Sequence, residues 1–172
     1  GCRKGAGAPM SYLLTIDPGA RYAAWALWNK GDGTLLEARQ TPDARLLPTT
    51  ADHVLGPVYA HLGGPPGIVR PLRVLVELPR EYDEDKAERA KDLFLVAATA
   101  GALVMAFNLP HTTAEFVRPP EWKGQLPKPV HHQRAWAVST GAEQGWVFAT
   151  TKNRHNVMDA VAMGLWALRR LR

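Results

Sequence analysis

At 172 residues the chain is long enough for one domain with a substantial core, and 46% apolar against 22% charged residues is a globular composition, which excludes a disordered chain. A formal charge of +5 favours a polyanionic partner such as nucleic acid, because Lys and Arg near phosphates release condensed counterions, although acidic and basic residues are interspersed rather than collected in one run. The single cysteine, Cys2, excludes an internal disulfide and a multi-cysteine zinc cluster and points to a cytoplasmic setting, and no stretch is apolar for the roughly 20 residues of a membrane span.

Residues 1–10 are small and polar, lack the apolar core of a signal peptide and read as a flexible tail, with residues 11–172 as the folded domain. Three short strands open it, Tyr12 to Ile16, Tyr22 to Asn29 and Leu35 to Arg39, the last two joined by the hairpin turn Lys30-Gly31-Asp32-Gly33. A loop rich in Thr and Pro leads to a helix over 51–62, ended by Gly63-Gly64-Pro65-Pro66-Gly67. Val74-Leu75-Val76-Glu77-Leu78-Pro79 is a fourth strand, apolar up to a carboxylate. From Asp85 to Phe107 the spacing is helical, with Leu93, Val96, Ala97, Ala100, Leu103, Val104 and Phe107 on one stripe, and the acidic run Glu81, Asp83, Glu84 and Asp85 reads as its solvated N-terminus. Thr113 to Val117 is a fifth strand, and Arg118 to Lys128, full of Pro and Gly, reads as a loop. A helix over Val130 to Ser139 and a long amphipathic helix from His155 to Leu171 complete the chain. No repeat or linker divides it. Strands first, then alternating helices and strands, give an α/β fold, a mixed five-stranded sheet flanked by helices in a single domain.

Two strands end on a lone carboxylate, Asp17 before Pro18-Gly19 and Glu77 before Leu78-Pro79. Taken alone, Asp before Pro-Gly is also ordinary turn chemistry. An ionised carboxylate at the end of a buried strand, however, costs several kcal/mol unless a cation or hydrogen bonds offset it. A third carboxylate, Asp159, sits in the first turns of the last helix, where Asn156 and His155, three and four residues earlier, share its side of the helix. If the two strands are neighbours and the helix crosses them, the three acids converge. Such a cluster of hard oxygen ligands suits Mg²⁺, with Mn²⁺ as a substitute. Two such ions about 3.5 to 4 Å apart can activate water and stabilise a leaving oxygen in phosphodiester hydrolysis.

The run Ile16-Asp17-Pro18-Gly19-Ala20-Arg21, the strand Val74 to Glu77 followed by an Ala-rich helix, and Asp159-Ala160-Val161-Ala162-Met163 resemble, in order and approximate spacing from Leu13 to Leu168, the RuvC-type Holliday junction resolvases of the RNase H-like superfamily. The resemblance implies an RNase H-like fold, a homodimer packed through the helix at 85–107, and paired symmetric nicking of branched DNA, the four-way junction, with two divalent ions per site. It also implies that Asp17, Glu77 and Asp159 hold the metal. The family usually has a fourth acidic or histidine ligand about one helical turn before the last one. Here that region offers His155 and Asn156; His155 is preferred as ligand and catalytic group because imidazole can ligate or carry a proton and an Asn amide cannot act as a base, and Asn156 is the alternative.

Between Val117 and Arg134 the chain gathers Lys123, Lys128 and Arg134 around Trp122, His131 and His132, a pattern suited to contacting a DNA backbone; Trp122 reads equally as a core residue, and the adjacent histidines point to different helix faces. The leading reading is a Mg²⁺-dependent, structure-selective DNA endonuclease. The alternatives are an RNase H-like nuclease with another nucleic-acid substrate and a catalytically silent DNA-binding protein of the same fold. An actin-like nucleotide-binding module, suggested by strand-Asp-Pro-Gly and a hairpin, needs a second similar domain for which 172 residues leave no room.

Overall fold

The computed structural model describes residues 11–19, 22–42, 47–63, 72–78, 87–107, 112–150 and 152–171. The expected N-terminal tail, the acidic run from Glu81 to Asp85 and most of the Gly-Pro segment after residue 62 lie outside the described residues. The elements run β1 (Tyr12–Asp17), β2 (Ala24–Asn29), β3 (Thr34–Gln40), α1 (Leu47–Leu62), β4 (Leu72–Glu77), α2 (Ala87–Ala106), β5 (Thr112–Val117), α3 (Pro119–Lys123), α4 (Lys128–Val138), α5 (Gly141–Ala149) and α6 (Arg154–Ala167).

The five strands form one mixed sheet in the order β3-β2-β1-β4-β5. The hairpin signals are realised as antiparallel pairing of β1 with β2 and β2 with β3, while β4 and β5, each reached through a helix, run parallel to β1 and to each other. The central strands read as continuous apolar runs because both faces are covered. On one face Tyr12, Leu14, Ile16, Trp25, Leu27, Val74 and Val76 pack with Val54 and Val58 of α1 and with Ala100, Leu103 and Phe107 of α2. On the other, Leu13, Ala26, Trp28 and Leu75 pack beneath α6, which contributes Val157, Val161, Met163 and Leu165. That second face positions the site.

Helix α6 lies low on the sheet because Gly164 faces Trp28, a fully buried residue: a Cβ at position 164 would meet Trp28 Nε1 at 2.1 Å. The chain after α6 is tied down by Arg170, which donates to Glu143 Oε1 at 2.6 Å and Oε2 at 2.9 Å on α5 and to the carbonyl of Gly33 at 3.2 Å. Two expectations are corrected. The segment from Arg118 to Lys128, read as a loop, contains α3, which starts on Pro119 and Pro120, where a missing N–H costs nothing, and whose Glu121 accepts from the Arg118 N–H at 2.8 Å. Helix α5 was not expected at all; its N-terminus is closed by Thr140 and Glu143 in reciprocal side-chain to backbone bonds. Among the described residues no helix is long and apolar enough to cross a membrane.

Candidate active site

Alternation along the strands decides where the carboxylates face. Leu13 of β1 and Leu75 of β4 belong to the α6 side of the sheet, and Thr15 donates from its hydroxyl to the Ala160 carbonyl of α6 at 2.7 Å. Counting in twos, Asp17 and Glu77 face α6 as well. Parallel pairing of Ile16 with Val76 sets them side by side at the C-terminal ends of neighbouring strands, the usual place for ligands in an open α/β sheet. The Thr15 bond seats α6 on β1 one residue beyond Asp159. Asp17, Glu77 and Asp159 therefore line one cavity of about 580 Å³, together with Pro18, Gly19 and Asn156. Gly19 is demanded by the tight turn after Asp17, because a Cβ there would meet the Tyr22 carbonyl oxygen at 2.2 Å.

The positive charge that offsets these acids comes from the segment after β5. Lys123 of α3 reaches Glu77 Oε1 at 3.2 Å, and Lys128, the first residue of α4, reaches Asp159 Oδ2 at 2.5 Å. His132, one turn further along α4, places Nε2 2.7 Å from Asp159 Oδ1. The compensation is uneven. Burial raises the Asp159 pKa, but the His132 hydrogen bond and Lys128 outweigh it and hold the carboxyl below its usual range. Burial raises Glu77 despite Lys123, and its Oε2 is buried with no hydrogen-bond partner. Burial, reinforced by the charges of Glu77 and Asp159, holds Asp17 well above the ordinary carboxylate range. Lys128 and His132 thus compensate Asp159, whereas the charged forms of Asp17 and Glu77 are left short of positive partners.

Among the described residues no set of three or more His, Cys, Asp and Glu side chains stands close enough together to hold a metal ion. The chemistry of the donor set nevertheless suits a hard divalent cation: three carboxylates face one cavity, one oxygen of Glu77 is buried and unpartnered, and Asp17 lacks sufficient compensating charge. Asp17, Glu77 and Asp159 are the residues that fit such an ion.

The other expected residues are distributed differently. Asn156 lines the carboxylate cavity, whereas His155 lines a separate one beside it with Trp136 and Phe148. The reason is helical: at about 100° per residue, positions three and four before Asp159 fall on opposite sides of it, about 60° one way and about 40° the other. Burial, with Lys128 nearby, also lowers the His155 pKa. Lys123 and Lys128, expected to contact DNA phosphates, are ion-paired to the carboxylates. Arg134 lies apart from the carboxylates, against a cavity with Trp122, Trp166 and Arg169. Trp122 is buried, in edge-to-face contact with His131 at 4.9 Å, and is a core residue. Sequence reasoning missed His132, because pairing with Asp159 depends on how α4 returns over α6. It also missed Asp92 of α2, which lines the carboxylate cavity alongside Leu93 and Val96; its helical spacing of four from Val96 was the available signal.

The sheet order, the crossing α6 and the acids at two strand ends define an RNase H-like fold. No protein-family model matches the sequence, and no curated protein matches it. Among solved structures, a Thermus thermophilus RuvC in complex with Holliday junction substrate superposes with a TM-score of 0.53 at 14% identity, covering 92% of this chain and 93% of that one. A further Thermus thermophilus RuvC structure superposes with a TM-score of 0.52 at 19% identity, covering 91% and 93%. The chain has the fold of RuvC over nearly its whole length.

Proposed function

We propose that this protein is a divalent-metal-dependent endonuclease acting on branched DNA, with Asp17, Glu77 and Asp159 as its metal-binding carboxylates. The observation that carries the reading is the convergence of these three acids, from β1, β4 and α6, in one cavity of a fold shared with a protein described with Holliday junction substrate. Mg²⁺, with Mn²⁺ as substitute, would supply there a water of lowered pKa and stabilisation of charge on the leaving oxygen. The chain's own residues prepare the site. Thr15 and the Ile16 to Val76 pairing hold the three acids on one frame, and Lys123 and Lys128 supply the positive charge that keeps them together until the substrate and its cations arrive. Glu77 would offer its unpartnered Oε2 to a cation with Lys123 still on Oε1, whereas both Asp159 oxygens are occupied, so Lys128 would have to yield Oδ2 and would then be free for a phosphate. Asn156 faces the cavity beside Asp159 and offers an amide oxygen.

Paired nicking needs two copies of this site related by a two-fold axis, and the protein is read as a homodimer through α2. The outward stripe of that helix supports this: Phe94, Leu95, Ala98 and Met105 are exposed, whereas Ala100, Leu103 and Phe107 are spent on the protein's own core. Leu93, Val96 and Leu103, on the apolar stripe read from the sequence, face the carboxylate cavity or the core instead.

The test is cleavage of a synthetic four-way junction against linear duplex and an RNA–DNA hybrid, with and without Mg²⁺, by the protein and its Asp17→Asn variant. Junction cleavage that needs Mg²⁺ and falls roughly a hundredfold or more in the variant is expected, because several kcal/mol of charge stabilisation at about 1.36 kcal/mol per decade is lost. Junction binding should be retained. Absence of Mg²⁺-dependent cleavage of every substrate, or full activity in Asp17→Asn, overturns the reading, and cleavage of the hybrid in preference to the junction replaces the substrate.

A further inference from the structure

A cavity of about 370 Å³ adjoins the carboxylate site across the first turn of α6, between α4, α5 and α6. The two cavities share a wall: His132 lines this one while its Nε2 stands 2.7 Å from Asp159 Oδ1, and Met158 is the residue before Asp159. Its apolar side is aromatic. Trp136 and Phe148 meet edge to face with ring centroids 5.1 Å apart and planes at 86°, and Phe148 is 56% exposed, a large apolar surface that the fold itself leaves uncovered. Its polar side is cationic or neutral. The Arg154 guanidinium lies 5.4 Å from the Phe148 centroid with its Nε donating to the Thr150 carbonyl at 2.8 Å, Gln133 and His155 also line the space, and among the described residues no acidic side chain does. An aromatic recess thus opens one helical turn from Asp159.

We propose that this cavity is a subsite for one unstacked nucleobase of the strand whose phosphate lies over the carboxylates, an inference that rests on the nuclease reading above. The chemistry of the walls selects that occupant. Because the two rings stand at 86°, a base can present its π face to the exposed Phe148 ring and only an edge to Trp136, and stacking of this kind tolerates any base. Its polar edge meets the amide of Gln133 and the imidazole of His155, which can each donate and accept. Arg154 meets the phosphate of the same nucleotide, a charge match that an apolar peptide side chain would leave unused. The volume lies at the low end of the roughly 300 to 1,000 Å³ of small-molecule sites, which suits one nucleotide and excludes a duplex arm. His155 and Asp159 are four residues apart, about 6 Å along α6, so a base here and a phosphate over the carboxylates belong to the same or adjacent nucleotides. Bases inside a duplex have no free face, so the subsite favours strands whose stacking is already broken and, through Gln133 and His155, gives the cut a base preference.

The test uses four-way junctions carrying 2-aminopurine at successive positions around the crossover, bound by the protein in chelator so that no cleavage occurs. Stacking on an aromatic ring should change the fluorescence at one position in the wild type and not in Phe148→Ala, whose junction affinity should fall about fivefold or more, with Phe148→Tyr restoring both. Because Phe148 is exposed, Phe148→Ala leaves the core intact, and a circular dichroism melt checks that. Wild-type binding with no fluorescence change at any position, or unchanged affinity in Phe148→Ala, overturns the subsite and leaves the nuclease reading standing. A Phe148→Ala variant that changes only its own oligomeric state also overturns it, because the recess is then an interface between copies of this chain. If the wild type neither binds nor cuts branched DNA, the nuclease reading falls and takes the subsite with it.

Discussion

Asp17 and Glu77 were legible because each breaks an apolar strand at its last position, where a packing residue would be expected, and period-two alternation then dictates that both face the same side of a parallel pair. Their partners were not legible. Lys123, Lys128 and His132 come from a segment whose Pro and Gly content signals irregularity without saying where it leads, and only the return of α4 over α6 brings them onto Glu77 and Asp159. The next residue, His131, shows the opposite economy. It is buried against Trp122, its Nε2 has no hydrogen-bond partner, and burial lowers its pKa to about 4. Its folded value lies below the 6.5 of the unfolded chain, so as pH falls below 6.5 the unfolded state takes up a proton that the folded state refuses, and stability is lost down to about pH 4. Between pH 7 and pH 5 this residue should remove about 2 kcal/mol. Urea unfolding at the two pH values is expected to show a smaller loss for His131→Phe, which keeps the ring contact and cannot titrate; an equal loss in both proteins would mean that His131 is protonated in the fold.

At the scale of elements, the strands and the two long helices followed from periodicity and the β1-β2-β3 meander from its short connections, whereas the place of β4 beside β1 did not follow from either, because a helix separates β4 from the meander. The ends of α1 and α6 shifted by one to four residues, as helix termini do. Helix α5 was missed although Thr140 and Glu143, three apart, carry a capping-box spacing, because Gly141 and Gly145 in nine residues weaken any propensity argument and the helix is held by tertiary bonds. Arg170 supplies those bonds to Glu143 from the far end of the chain, a contact no local pattern encodes. How closely α6 approaches the sheet was equally hidden, since it depends on one glycine meeting one tryptophan. Gly164→Ala should therefore destabilise the protein despite the better helix propensity of Ala. Its Cβ would lie 2.1 Å from Trp28 Nε1 and 2.4 Å from Cε2, and neither a ring buried on all sides nor the helix backbone can yield cheaply. Overpacking of this kind costs about 1 to 3 kcal/mol. A loss in that range in denaturant is expected, together with weakened activity as Asp159 is lifted from Asp17 and Glu77. A gain in stability would mean that α6 is free to slide on the sheet.

At the scale of the whole molecule, one face of α2 has no partner in the chain. The helix is 20 residues long, about 30 Å, and while Ala100, Leu103 and Phe107 close the core, Phe94 stays 77% exposed and Met105 68%, with Ala98 between them at spacings of four and seven. A stripe with large residues at its ends and small ones at its centre suits a second helix crossing closely, and the same helix turns Asp92, Leu93 and Val96 towards the carboxylate cavity. An interface on α2 would thus be joined to each carboxylate cavity by one rigid element, which would fix the spacing of two sites across a junction. Replacing Phe94 and Met105 with Glu together should convert a dimer to a monomer, because a stable interface buries about 800 Å² per partner and the charges introduced at both ends of the stripe would be buried unpaired. Sedimentation at micromolar concentration should report the halved mass. On a four-way junction the variant should still nick single strands, since its carboxylates are untouched, but the two nicks should lose their coupling and singly nicked junctions should accumulate. A wild-type protein that sediments as a monomer even with junction present, or a variant that still cuts both strands in concert, would place the pairing of sites somewhere other than α2.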